Sequence, residues 1–358
     1  FTEPSPVLHL QAEYVGVTSV NLTWEVNDTA SDSYTYRIEV AKDTPIKNVT
    51  SSGPKAEITE LIPGTVYEFT IFAVAADNQT EGEGITKDLY TKPSPVLHLK
   101  AEYVGVTSVN LTWEVNDTAS DSYTYRIEVA KDTSIRNVTS SGPKAEITEL
   151  IPGTMYEFTV FAVAADNEME GEGRSIAIYT KPSPVLHLKA EYVGVTSVNL
   201  IWEVNDTASD SYTYRIEVAK DIPIRNVTSS GPKAEITELT PGTMYEFTIF
   251  AVAADNKTEG EGSSIAIYTK PSPVLHLQAE YVGVTSVNLT WEVNDTASDS
   301  YTYRIEVVKD TPIRNVTSSG PKAEITELIP GTMYEFTVHA VAADNEAEGE
   351  GRSIAICT

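Results

Sequence analysis

Apolar and polar side chains alternate with a period of two along most of this chain, in segments of five to ten residues punctuated by proline and glycine. Such alternation is the signature of strands with one buried face, and no apolar stripe at helical spacing persists long enough for a helix, so the reading is all-β. In Val109-Asn110-Leu111-Thr112-Trp113, successive side chains point to opposite faces: Val109, Leu111 and Trp113 turn inward, and Asn110 and Thr112 face water. In the same stretch of chain the pattern predicts seven strands: 96–103, 108–115, 123–130, 135–139, 145–150, 155–165 and 175–180. Seven short strands in about 90 residues form a two-sheet sandwich.

The pattern then repeats. Pro-Ser-Pro-Val-Leu-His-Leu opens at Pro4, Pro93, Pro182 and Pro271, a spacing of 89 residues, and the second and third copies differ at eight positions. Strict self-similarity makes the chain an array of one domain, with repeats at 4–92, 93–181, 182–270 and 271–358, each large enough to bury its own core. Phe1-Thr2-Glu3 aligns with Tyr90-Thr91-Lys92, so the chain reads as starting on the tail of a preceding copy.

Candidate core residues are the inward tryptophans Trp24, Trp113, Trp202 and Trp291 and the tyrosines Tyr67, Tyr156, Tyr245 and Tyr334. Each tyrosine follows a Pro-Gly turn, as in Leu150-Ile151-Pro152-Gly153-Thr154-Met155-Tyr156, where its hydroxyl can bond back to the turn backbone. This tyrosine corner, the inward Trp113 and the strand Tyr-Thr-Tyr-Arg-Ile-Glu-Val from Tyr123 together resemble the fibronectin type III domain. The resemblance implies four tandem seven-stranded immunoglobulin-like β-sandwiches. Consecutive copies are joined only by Tyr-Thr-Lys-Pro-Ser-Pro, in which proline restricts the backbone and no Gly/Ser linker intervenes. At about 34 Å per ten-residue strand, four domains end to end are expected to form an elongated rod on the order of 130–140 Å long.

Charge narrows the partners. A formal net charge of −27 excludes a phosphate-backbone partner, so no nucleic acid is expected, and it disfavours direct contact with anionic membrane surfaces. The single cysteine, Cys357, stands where the sister copies have Tyr90, Tyr179 and Tyr268. It excludes an internal disulfide and reads as a neutral substitution, a reactive thiol or a partner for a cysteine outside this sequence. No nucleophile triad, phosphate loop or metal-spaced cluster is present, so no catalytic residue, cofactor or metal is assigned.

Thirteen Asn-x-Ser/Thr sequons are candidate N-glycosylation sites: Asn21, Asn27, Asn48, Asn78, Asn110, Asn116, Asn137, Asn205, Asn226, Asn256, Asn288, Asn294 and Asn315. Substitution removes the sequon at Asn167, Asn199 and Asn345. The last loop of each unit, 77–84 and its equivalents, is acidic and glycine-bearing and reads as a solvated turn, since its spacing matches no calcium loop. His9, His98, His187 and His276 are repeat equivalents a domain apart and cannot share a metal, while His339 replaces Phe72, Phe161 and Phe250. Tyr34 and Tyr36 read as packing residues.

The wording of residues 106–117 and 121–130, Asn137-Val138-Thr139, and the Glu-Gly following Ala-Ala-Asp-Asn are similar to fibronectin repeats in the ectodomains of receptor-type tyrosine phosphatases of the heavily glycosylated subtype, the eta form above all. That resemblance implies a glycosylated segment on the extracellular side of the plasma membrane, non-catalytic in itself, with an extracellular or cell-surface protein ligand; self-association stays open. The family's phosphate loop needs a cysteine with an arginine six residues later, and Cys357 is followed only by Thr358. A cell-adhesion or matrix protein, or a mechanical spacer without a ligand, are the alternative readings.

Overall fold

The computed structural model describes residues 2–309 and 311–358. Phe1, read above as part of a preceding copy's tail, lies outside them. The chain divides into two compact units, one comprising residues 1–150 and 155–180 and the other residues 151–154 and 181–358.

In the first unit, the first repeat contributes β1 (Val7–Val15), β2 (Val20–Val26), β3 (Thr35–Lys42), β4 (Thr44–Ser51), β5 (Lys55–Ile58), β6 (Val66–Val74) and β7 (Ile85–Tyr90). Antiparallel pairing sorts them into a three-stranded sheet, β1-β2-β5, and a four-stranded sheet, β4-β3-β6-β7. The second repeat copies this with β8 (Leu97–Val104), β9 (Val109–Glu114), β10 (Thr124–Lys131), β11 (Ser134–Ser140), β12 (Lys144–Ile147), β13 (Met155–Val163) and β14 (Arg174–Tyr179). The second unit holds two further pairs of three- and four-stranded sheets in the same order.

All seven strands expected from the alternation are present, with ends displaced by a few residues. The largest shift is in the fifth, expected over 145–150 and ending at Ile147, because Glu149 takes φ +60° and turns the chain out of the sheet. In the second repeat a 3-10 turn, Ser120–Ser122, leads from one sheet to the other, and Ser31–Ser33, Ser209–Ser211 and Ser298–Ser300 do the same in its sisters.

Each repeat encloses its own core. In the second, Val109, Leu111 and Trp113 of β9 face Tyr125, Ile127 and Val129 of β10 and Phe158 and Val160 of β13. Trp113 is 3% exposed and meets the Tyr125 ring edge-on, with centroids 5.1 Å apart and planes at 64°. Trp24, Trp202 and Trp291 are buried in the same way. The corner tyrosines Tyr67, Tyr156, Tyr245 and Tyr334 are buried as well. The Tyr67 hydroxyl accepts the Ile62 N–H at 2.8 Å, and Tyr245 and Tyr334 accept the N–H of Thr240 and Ile329.

Trp113→Ala should cost the second repeat about 3–5 kcal/mol, through lost apolar transfer and the cavity left behind. Chemical denaturation of the full chain should show one early transition while the other three repeats unfold as before.

Candidate functional site: the joint between repeats

The segment joining the first two repeats is tied down at nearly every residue. Thr91 is fully buried; its N–H donates to the Thr65 carbonyl at 3.0 Å, and its hydroxyl donates to the Ile62 carbonyl at 2.7 Å while accepting the Thr65 N–H at 3.0 Å. Lys92 donates its N–H to the Gly16 carbonyl at 2.9 Å and accepts that of Gly64 at 3.2 Å. Two residues on, Ser94 donates its N–H to Asp117 Oδ2 at 2.8 Å, and the Tyr123 hydroxyl donates to the same oxygen, also at 2.8 Å. Asp117 therefore holds the linker and the tyrosine of the second repeat together.

Tyr123 in turn closes onto the first repeat. Gly64 sits at φ +58°, and a Cβ on it would fall inside the Tyr123 hydroxyl and ring. Only glycine meets both demands, a left-handed backbone and a neighbour at backbone contact. Tyr123 is 2% exposed, and burial, with the Asp117 bond second, pushes its phenol up. The second unit repeats the device: Tyr301 lies over Gly242, donates to Asp295 at 2.9 Å, and Ser272 N–H meets the same carboxylate at 2.8 Å. Tyr123 is the packing residue its place in the pattern implies, and it also forms the joint, whose one signal in the sequence is the glycine of Pro-Gly-Thr, which a tyrosine corner alone does not explain.

The acidic loop is bound up with this region rather than simply solvated. Glu170 accepts two bonds from Arg126, at 2.6 and 2.8 Å, and the guanidinium lies 4.1 Å above the Phe161 ring. The Arg126 bond holds the Glu170 carboxyl below its ordinary range. A Cβ on Gly171 would stand 2.6 Å from the Pro93 carbonyl oxygen, and one on Gly173 would stand 2.5 Å from Phe161, so both glycines let the loop lie against linker and ring. In the fourth repeat His339 replaces that ring; its Nδ1 is 3.4 Å from Glu348 Oε1, and Arg304 keeps its own bond to Glu348. His9, His98, His187 and His276 each pair with one glutamate of their own repeat, at 2.8–2.9 Å, and are well exposed. Among the described residues no group of three or more His, Cys, Asp or Glu is gathered as a metal site.

The thirteen sequon asparagines occupy four structural positions. Asn21, Asn110 and Asn288 lie on the outward face of the central strand of the three-stranded sheet, and Asn27, Asn116, Asn205 and Asn294 lie in the loop after it. Asn48, Asn137, Asn226 and Asn315 lie on the edge strand of the four-stranded sheet, and Asn78 and Asn256 lie in the last loop at φ +56°. All are exposed except Asn21, which is half-buried with its Oδ1 shielded and unpartnered. In both last-loop sequons the threonine hydroxyl already donates to the preceding aspartate, Thr80 to Asp77 and Thr258 to Asp255, at 2.7 Å. Cys357 is exposed on the final strand, opposite Met333.

Two-sheet sandwiches with this strand order and corner match the description Fibronectin type III domain at residues 4–87, 93–177, 182–267 and 271–354. The chain belongs to the fibronectin type III family. Over its whole length it is 68% identical to receptor-type tyrosine-protein phosphatase eta of Gallus gallus, spanning 26% of that protein. It is 30% identical to receptor-type tyrosine-protein phosphatase eta of Homo sapiens, again across the whole chain and 26% of that protein. Tenascin of Gallus gallus is 23% identical over 97% of the chain and 20% of that protein. The chain thus spans about a quarter of the length of its phosphatase relatives.

Two predictions test the joint and the loop. Gly331 has φ +65° and no neighbour within 4 Å of a Cβ, so Gly331→Ala should cost about 1 kcal/mol from backbone strain alone. Gly64→Ala should carry the same strain and also push Tyr123 away, so that NMR relaxation shows the first two repeats tumbling more independently in this variant only. The second concerns Asp77, whose carboxyl is held down to about 2 by the Thr80 hydroxyl first and by the Thr80 and Gln79 N–H groups next. A pKa lowered on folding gives stability that is present above the ordinary value of 3.8 and lost as pH falls towards 2. Protection of the 77–80 amides, taken relative to their intrinsic exchange rates, should therefore fall between about pH 4 and 2, and Asp77→Asn should remove that dependence.

Proposed function

We propose that this chain is a non-catalytic, N-glycosylated extracellular segment of a receptor-type protein tyrosine phosphatase, where it spaces the receptor from the cell surface and offers sites to a cell-surface or matrix protein. The observation that carries the reading is the 68% identity to the avian phosphatase eta over every residue of the chain. The joint supports it: a spacer needs successive domains held at a set angle, and Thr91, Asp117, Tyr123 and Gly64 supply fixed bonds where a flexible linker would let them swing. Exposed sequon asparagines at all four structural positions support it too, since oligosaccharides need room to project. A tall, jointed ectodomain is also disfavoured in narrow cell contacts, which would separate a phosphatase from substrates held there.

The adhesion or matrix reading draws on the tenascin likeness, which at 23% identity weighs much less than the phosphatase match. The deciding experiment is to express the chain with a secretion signal in animal cells and map glycans by mass spectrometry before and after enzymatic removal. Occupancy at several exposed asparagines, with small-angle scattering of an elongated monomer, is the expected result. A chain secreted without glycans, or a compact particle, would overturn the spacer reading.

A further inference from the structure

We propose that the free edge of β11 in the second repeat is a self-association surface, on which a second copy of this chain docks its own β11 antiparallel, adding strand to strand.

Three repeats blunt this edge and one does not. In the first, third and fourth repeats the edge strand carries Pro45, Pro223 or Pro312 as its second residue, and its ladder shifts register there: Val40 pairs with Lys47, but Ala41 pairs with Pro45. A proline without a donor and a bulge that twists the strand are two of the devices by which sheets refuse edge pairing. The second repeat has Ser134 instead, and β10 and β11 stay in register without a break from Tyr125↔Ser140 to Lys131↔Ser134. The Ser134 hydroxyl bonds the Lys131 carbonyl at 2.9 Å, closing a two-residue turn. In a ladder closed this way Ser134, Arg136, Val138 and Ser140 bond inward to β10, so the N–H and C=O groups of Ile135, Asn137 and Thr139 point to the open edge. Ile135 is 64% exposed beside them.

The strand is also suited to its own copy. Ser134-Ile135-Arg136-Asn137-Val138-Thr139-Ser140 carries no carboxylate in a chain of net charge −27, so two copies meet here without the repulsion expected elsewhere. Antiparallel pairing centred on Asn137 sets Ser134 against Ser140, Ile135 against Thr139 and Arg136 against Val138, with no like charges opposed and a β-branched pair on the outward face. Such a contact is isologous and closes as a dimer. A glycan at Asn137 would stand at the centre of this contact, so the edge is open on molecules lacking sugar there.

The test is sedimentation equilibrium on the full 358-residue chain made in a host that adds no N-glycans, alongside amide exchange at rising concentration. The expected result is a monomer–dimer equilibrium above the 39.0 kDa monomer mass, with slowed exchange at Ile135, Asn137 and Thr139. Ser134→Pro restores the residue of the sister repeats and is thus compatible with the fold; it should bring back the bulge that takes Ile135 out of the ladder and so weaken the dimer at least about tenfold, which corresponds to losing roughly one of the edge hydrogen bonds of Ile135. Conversely, Pro45→Ser should give the first repeat an open edge and yield species larger than a dimer. A chain that stays monomeric at a few hundred micromolar, a dimer indifferent to Ser134→Pro, or protection that appears elsewhere overturns the proposal; so does an edge that is filled only by a strand of another protein.

Discussion

The close approach of a tyrosine hydroxyl to a left-handed glycine governs how this array is built. Tyr123 reaches Gly64 only because no side chain stands there, and it is aimed by Asp117, which also grips the linker through Ser94 N–H. One carboxylate oxygen thereby couples three elements: the loop that supplies Asp117 and Tyr123, the Pro-Ser-Pro linker, and, through the tyrosine, the turn of the preceding repeat. Buried Thr91 completes the coupling by satisfying the backbone of that same turn. Polar groups buried in this way must all be paired, so the joint has few alternative arrangements of comparable energy.

The core makes such a joint useful. Because each sandwich closes its own core around a tryptophan and a cornered tyrosine, the loops at its ends are carried on a stiff frame. The Arg126–Glu170 fork, stacked on Phe161, extends that frame to the last loop. Single ion pairs at the surface contribute little, but a bidentate fork lying on a ring and shielded to about a quarter of its exposure belongs to the stronger kind. Where His339 replaces the ring, Arg304 meets only Oε1 of Glu348, and the imidazole Nδ1 lies 3.4 Å from that oxygen and 3.2 Å from the Gly349 carbonyl, so the fourth loop exchanges the stacked fork for polar contacts.

Much of this was legible in the chain. Period-two alternation located all seven strands, because a sandwich strand has one wet and one dry face, and the inward residues of Val109 to Trp113 are the ones found in the core. The joint was not legible: Gly64 and Tyr123 lie in different repeats, and a sequence pattern records periodicity within an element, not contact between them. The fifth strand ends three residues before its alternation does, since nothing in Glu149 announces a positive φ. The loop 166–173 reads as solvated by composition, and it took the position of Arg126, forty-four residues earlier in the chain, to show that Glu170 is engaged.

Near-identity of the repeats gives the few substitutions unusual value, because each one is a point mutation made in an otherwise constant setting. Lys47 and Ile222 also differ from Arg136 and Thr133, but Ser134 in place of proline is the one difference in this strand that separates β11 from all three sisters, and it goes with the loss of the bulge. Identical neighbours otherwise carry a cost, since equivalent strands can exchange during folding. Blunting three of the four strands of this kind lowers that hazard and leaves β11, with the sequon at Asn137 at its centre, as the one of them without a proline. The array thus separates two requirements that conflict within one domain: joints that must not vary, built from Thr91, Asp117, Tyr123 and Gly64, and surfaces free to diverge, of which Ser134 is the residue with a visible structural effect.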